Sequence, residues 1–198
     1  MKTRIFNTVL LVTAMTTFLS FDLPNGWFVA GLDPENYEIG LAKNAGYEGK
    51  NSASIKSLLE NSDGFGTLMQ LCSPEKYFGK QIKMTGYIKS ENVKGWAGFW
   101  LRVDGHEKGE VLSFDNMQDR AVSGTSEWKK YEILLPVPSD AYRIAFGALL
   151  SGTGQIWFDD ITFEVVDNSD NPAAVEKSDK TTNKDAVTND PANLNFEE

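Results

Sequence analysis

This 198-residue chain has a single cysteine, Cys72, and a single histidine, His106. A lone thiol cannot close an intrachain disulfide, and the two residues together cannot fill a structural zinc site, which needs a full set of nitrogen and sulfur ligands. Chemistry that runs on two histidines is excluded with them. Positive charge is scarce as well: 19 Lys and Arg against 28 Asp and Glu give a formal net charge of −9, with a pI near 4.7. A surface of that sign repels a phosphate backbone, so nucleic acid is not an expected partner. The sequence also lacks a Gly-x-Ser-x-Gly elbow, a phosphate loop ending in Gly-Lys-Ser/Thr, and a Gly-x-Gly-x-x-Gly turn, the signatures of acyl-transfer and nucleotide chemistry. His106 falls in Asp104-Gly105-His106-Glu107-Lys108-Gly109, a polar, glycine-bounded hairpin turn in which solvent exposure is expected rather than a general-base role. Acid pairs of the glycosidase kind could be drawn from Asp104, Asp115, Asp119, Asp159 and Asp160, but surface acids are common and the sequence sets no separation between them. The expectation is a protein that is not an enzyme.

What the chain does have is enough apolar material for a core, 41% hydrophobic and 12% aromatic residues, together with 17 glycines and 7 prolines. That mixture favours short strands joined by tight turns over long helices. Three zones follow from composition. Residues 1–20 open Met1-Lys2-Thr3-Arg4 and continue as an apolar run to Phe21. This is a basic segment followed by a hydrophobic one too short to span a bilayer, as in an export signal. From Asp167 to Glu198 the residues are mainly Asp, Asn, Ser, Thr, Lys and Pro, a composition that buries too little surface to offset ordering entropy. Residues 167–198 are therefore expected to be a disordered acidic linker or tail, and 21–166 the folded body.

Within the body the pattern is strand-like. Ile82, Met84, Gly86 and Ile88 alternate with Lys83, Thr85, Tyr87 and Lys89, and Ala97, Phe99, Leu101 and Val103 alternate with Gly98, Trp100, Arg102 and Asp104. Period two with one apolar face marks a half-buried strand. Further runs at 36–42, 52–59, 66–72, 110–114, 128–136, 141–150 and 155–166 are separated by turn clusters such as Ser151-Gly152-Thr153-Gly154. About nine or ten short strands with frequent turn signals point to an all-β, two-layer antiparallel sandwich. A weak helical turn is expected around 73–78.

Two sets of residues carry candidate chemistry. Asp159 shares the parity of Trp157, Ile161, Phe163 and Val165. A carboxylate facing a core must be paired, hydrogen-bonded or bound to a metal, and calcium is the ion that oxygen ligands alone can satisfy. The alternative is a strand-end Asp accepting backbone N–H groups. Trp100 and Arg102 lie on the parity opposite Phe99, Leu101 and Val103, hence on the outer face of their sheet. A flat ring beside a fork of donors suits a sugar, while a covering loop over the ring is the competing reading. Gln70, Asn116 and Gln118 are further polar candidates on the same argument.

The phrases FDLPNGWF (21–28), GKNSASIKS (49–57), FGTLMQ (65–70), GWAGFWLRVDG (95–105), FDNMQDR (114–120) and LLSGTGQIWFDDITFEV (149–165) resemble a family of bacterial jelly-roll modules of the galactose-binding and carbohydrate-binding-module type. The resemblance implies a jelly-roll sandwich with a glycan-binding face. It also implies a structural calcium between the chain start and the last strand, which Asp22 and Asp159 or Asp160 match loosely. Such modules occur beside peptidase or regulator domains. The closing PANLNFEE resembles the opening Asn-Leu-Asp-Phe-Glu of such modules, which suggests a chain cut short of a following partner domain. Together these readings describe an exported, monomeric, non-catalytic module, accessory to a neighbouring domain and taking a glycan. The rival is a protein–protein or sensing module without a sugar ligand.

Overall fold

The expected alternation becomes eight antiparallel strands in the computed structural model, which describes residues 22–166 and 190–198. The export signal expected at 1–20 and the 167–189 part of the expected linker lie outside the described residues. The strands are β1 (Phe28–Leu32), β2 (Tyr37–Ala42), β3 (Ser52–Ser57), β4 (Phe65–Cys72), β5 (Lys80–Asp104), β6 (Val111–Asp115), β7 (Val122–Val137) and β8 (Arg143–Val166). Strand makes up 62% of the structure and helix 6%, so sheet faces alone must supply the core. The expected turn near 73–78 is a single 3-10 turn, Glu75–Tyr77.

Two pairs of expected strands are in fact two long bent ones. The runs at 81–89 and 97–104 are both β5, and those at 141–150 and 155–166 are both β8. β5 and β8 pair with each other along nearly their whole length, from Gln81↔Val166 to Asp104↔Arg143. The cluster Ser151-Gly152-Thr153-Gly154 is where this two-stranded ribbon bends, not where a strand ends. Gly152 has φ +88° and a Cβ there would come 2.3 Å from the carbonyl oxygen of Lys94; Gly154 has φ +108° and would meet that of Asn92 at 2.6 Å. Only a residue without a side chain can adopt that backbone so close to a neighbouring strand.

The bend curls one antiparallel sheet into a half-barrel. On one side of it β1, β4, β8 and β5 lie in that order with β6 on the outer edge of β5; on the other, β2 and β3 join β8, and β7 joins β5. The inner faces of the two halves meet. Phe99 from the first half stands edge-on to Phe158 from the second at 6.1 Å between ring centroids, and a Cβ on Gly86 would lie 2.7 Å from the Phe99 ring. Ala97, Phe99, Leu101 and Val103, the set read as core-facing, are all at most 1% exposed alongside Ile82, Met84 and Ile88.

The closing segment departs from expectation. Residues 190–198 are docked, not free: Phe196 is fully buried in the same core as Phe146 and Phe158. One large aromatic side chain inserted between strands outweighs the polar composition around it.

Candidate functional site

The outer face of the first half carries a second apolar cluster, separate from the core. Its floor is Met69, Trp100, Ala145 and Leu149, with Ala30, Phe65, Leu71 and Trp96 partly buried around it. Cross-strand register explains the grouping: Trp100 stands opposite Gly147, Arg102 opposite Ala145, and Met69 opposite Phe28. The Trp100 indole reaches across β8 and donates its N–H to Thr67 Oγ1 on β4 at 2.9 Å; Gly147 lets β8 lie close to β4, where a Cβ would come 2.2 Å from the carbonyl oxygen of Leu68. Thr67 in turn donates to the carbonyl of Ala148 at 2.7 Å.

Parity therefore assigns Trp100 to the correct face, but the ring is not an open platform. It is only 7% exposed, covered by its neighbours and by the Arg102 guanidinium 6.0 Å from its centroid. The rings that remain open are those around it: Phe28 at 39%, with Phe65 and Trp96 half-buried. Arg102 is not a free fork either. The Asp104 carboxylate, 8% exposed, accepts from Arg102 Nε at 2.6 Å and from Arg143 at 2.7 Å, so one acid holds two guanidiniums at the rim. Such charge-assisted pairs are well organised for a polar ligand edge.

Gln70 is not among the open residues of this face. It is fully buried, and its side-chain amide brackets the closing segment, donating to Ala192 O and accepting from Ala192 N at 2.9 Å each. Asn116 and Gln118 sit apart from Trp100, in the FDNMQDR turn. There Asn116 Oδ1 accepts from the Gln118 backbone N–H at 3.1 Å, and Asp115 accepts from Met117 N–H and from Arg120. Met117 plugs into the core beneath Gly98. This turn lines an open groove of about 600 Å³ together with Phe114 and Leu135. Phe114, 51% exposed, is the cross-strand partner of Arg102, so groove and apolar face adjoin through it. His106 is exposed, as expected, near the Tyr142 ring.

The two metal candidates are not brought together as a site. Asp22 is exposed and pairs with Lys43 at 3.8 Å. Asp159 is buried, but not by the parity argument. The pairing steps from Thr85↔Thr162 to Tyr87↔Asp159, and Asp160 takes φ 49°. This β-bulge reverses the alternation, so Ile156, Phe158 and Ile161 face the core while Asp159 points the other way. It is covered by the loop before β3, accepting from Tyr47 N–H at 2.8 Å and Asp160 N–H at 2.7 Å. Burial pushes its carboxyl up to about 6, against those two hydrogen bonds, and the charges of Asp160 and Glu197 add to the rise. Among the described residues no group of three or more His, Cys, Asp or Glu could hold a metal ion. Glu197, which sequence reasoning missed, is the carboxylate the docked segment brings toward Asp159. Cys72 is buried and its thiol is pushed up to about 12 by that burial, which makes it inert.

No protein-family model matches the chain. A relative, the uncharacterized HTH-type transcriptional regulator YbfP of Bacillus subtilis (strain 168), is 37% identical over 174 residues, covering 87% of this chain; the chain spans 57% of that relative's length. Among solved structures, the fold is similar to the CBM22-1 xylan-binding domain of Paenibacillus barcinonensis Xyn10C (TM-score 0.52, 13% identity, 76% of this chain and 92% of that one). It is also similar to a family 16 carbohydrate-binding module (0.51, 12%, 71% and 91%). An enzymatically active domain of a bacteriophage CBA120 tailspike protein shares it too (0.55, 11%, 72% and 20%). The chain thus has the curled β-sheet fold of carbohydrate-binding modules.

Proposed function

We propose that this protein is a non-catalytic binding module that takes a carbohydrate on the outer face of the first half of its sheet, and that its finer architecture is a jelly-roll sandwich. The observation that carries the reading is the second apolar cluster: half-open Trp96, Phe65 and Phe28 around a sequestered Trp100, rimmed by the Arg102–Asp104–Arg143 triad. Open rings beside fixed polar donors are what stacking on a sugar ring and bonding its hydroxyls require. The carbohydrate-binding modules of similar fold support it. Glycan-array screening followed by calorimetry tests it: Trp96→Ala should weaken a hit at least about tenfold, roughly 1.4 kcal/mol, with folding intact. Full affinity in that variant would remove the face from the reading.

The similarity to a transcriptional regulator favours a second reading, in which the same face reports ligand occupancy to a neighbouring domain as a sensing or protein–protein module. Export and an accessory role remain part of the first proposal. A structural calcium is likewise proposed, at Asp159 with Glu197 in place of Asp22. An ion there would take carboxylate oxygens from these two residues, the hard ligands calcium accepts, in exchange for the backbone N–H groups they now bind. Exhaustive chelation should then lower the melting temperature, because an ion bound only by the folded state stabilises it by mass action. An unchanged melt with no metal on elemental analysis would remove the site.

A further inference from the structure

The segment Asp190–Glu198 is held as a ligand is held. Its Phe196 ring is fully buried against Trp27 at 5.1 Å and Phe158 at 5.4 Å between centroids. Four separated parts of the body hold it, three of them by its backbone and one by a side-chain carboxylate. Gln70 brackets Ala192, Trp27 Nε1 donates to Asn193 O at 3.0 Å, Ile161 N–H donates to Leu194 O at 3.0 Å, and Asn51 N–H donates to Glu197 Oε1 at 3.0 Å. Lys76 pairs with Asp190 at its entrance. The segment also closes on itself: the Asn193 side chain accepts from Glu198 N–H at 3.2 Å, while Asn193 and Phe196 take φ of 47° and 56°. A self-closed turn has already lost much of its conformational freedom, which lowers the entropy cost of docking.

We infer that this slot is a peptide-recognition site whose ligand is the closing segment itself, bound reversibly, so that the same segment presented by a second copy can take its place. Every contact named is within the segment or between it and the body, and none depends on the covalent connection through residues 167–189. A buried aromatic anchor with backbone bonds on both sides of it is the arrangement by which a short peptide gains both affinity and specificity. Tethering only raises the local concentration of the ligand.

The test severs that connection without touching the slot. A protease site is placed within 167–189 of the full chain, the purified protein is cut, and the product is run on gel filtration at about 10 μM, a concentration at which a micromolar complex stays associated. The freed fragment should co-elute with the body, and the melting temperature should become concentration-dependent. An excess of labelled synthetic Asp190–Glu198 peptide should replace the fragment, whereas the same peptide carrying Phe196→Ala should not. The uncut chain should take up the labelled peptide far more weakly, since its tethered segment competes. A fragment that elutes apart, a body that unfolds on cutting, failure of the labelled peptide to exchange, or equal uptake of the two peptides would each overturn the proposal.

Discussion

Trp100→Ala removes a ring that is nearly all buried and leaves a hole over Gly147, so it should cost about 3–5 kcal/mol of stability, measured by denaturant unfolding. Trp100→Phe keeps most of the apolar contact and loses the N–H to Thr67, a loss of about 1 kcal/mol. If Trp100→Ala unfolds no more easily than the parent, the ring is an open platform after all. Asp159 makes a second prediction, one of pH. Its folded value, about 6, lies above the ordinary 3.8, so the folded state favours the proton. The resulting stability is full below about 3.8 and is lost as pH rises through about 6. In calcium-free buffer the melting temperature should therefore fall between about pH 4 and pH 6 and level off above, and Asp159→Asn should flatten that part of the profile. Of these two residues, the sequence tells the face of Trp100 but not its burial, since its hydrogen-bond partner comes from a strand far earlier in the chain. Asp159 was burial-prone for a reason the alternation could not contain, because a one-residue bulge beside it inverts the pattern.

At the level of elements, the bend in β5 and β8 is what curls the sheet into a half-barrel. Gly152→Ala must accept both a left-handed backbone and an atom 2.3 Å from a carbonyl oxygen, whereas Gly124, with φ +68°, has nothing within 4 Å of an added Cβ. Gly124→Ala should thus cost only the left-handed penalty of about 1–2 kcal/mol, and Gly152→Ala clearly more. Thermal melts of the two variants decide it; equal losses would mean the bend tolerates a side chain. Most strand positions were legible, because Ile82 to Lys89 and Ala97 to Asp104 alternate cleanly. Their continuity was not, for a glycine cluster that bends a strand is written in the same residues as one that ends it. β1 went unread, since Phe28–Leu32 has five residues and a mostly exposed face.

For the molecule as a whole, the decisive surprise is the closing segment. Deleting 190–198 would empty a fully buried aromatic site, so the shortened chain should melt well below the parent, by more than the few degrees a non-docking tail would cost. A melt unchanged by the deletion would show that the segment adds nothing to the body. Composition concealed this, because Phe196 stands among polar residues and its burial is decided by Trp27, Gln70 and Phe158, which lie far away in sequence. On the candidate sugar face the opposite holds: Trp100 and Arg102 share the outward parity the sequence shows, but the ring is nearly covered and the guanidinium is paired with Asp104.

The shared β5–β8 ribbon also governs how the protein comes apart. Neither half-sheet owns its central pair of strands, so neither can open without unzipping a ladder that runs through the other. Unfolding should be a single event, and amide exchange at Leu101 in one half should be as slow as at Ile88 in the other. The ladder joins residues distant along the chain, from Gln81↔Val166 to Asp104↔Arg143. Folding must therefore close long loops before it gains contacts, and should run in the slow range of β-rich proteins, milliseconds to seconds.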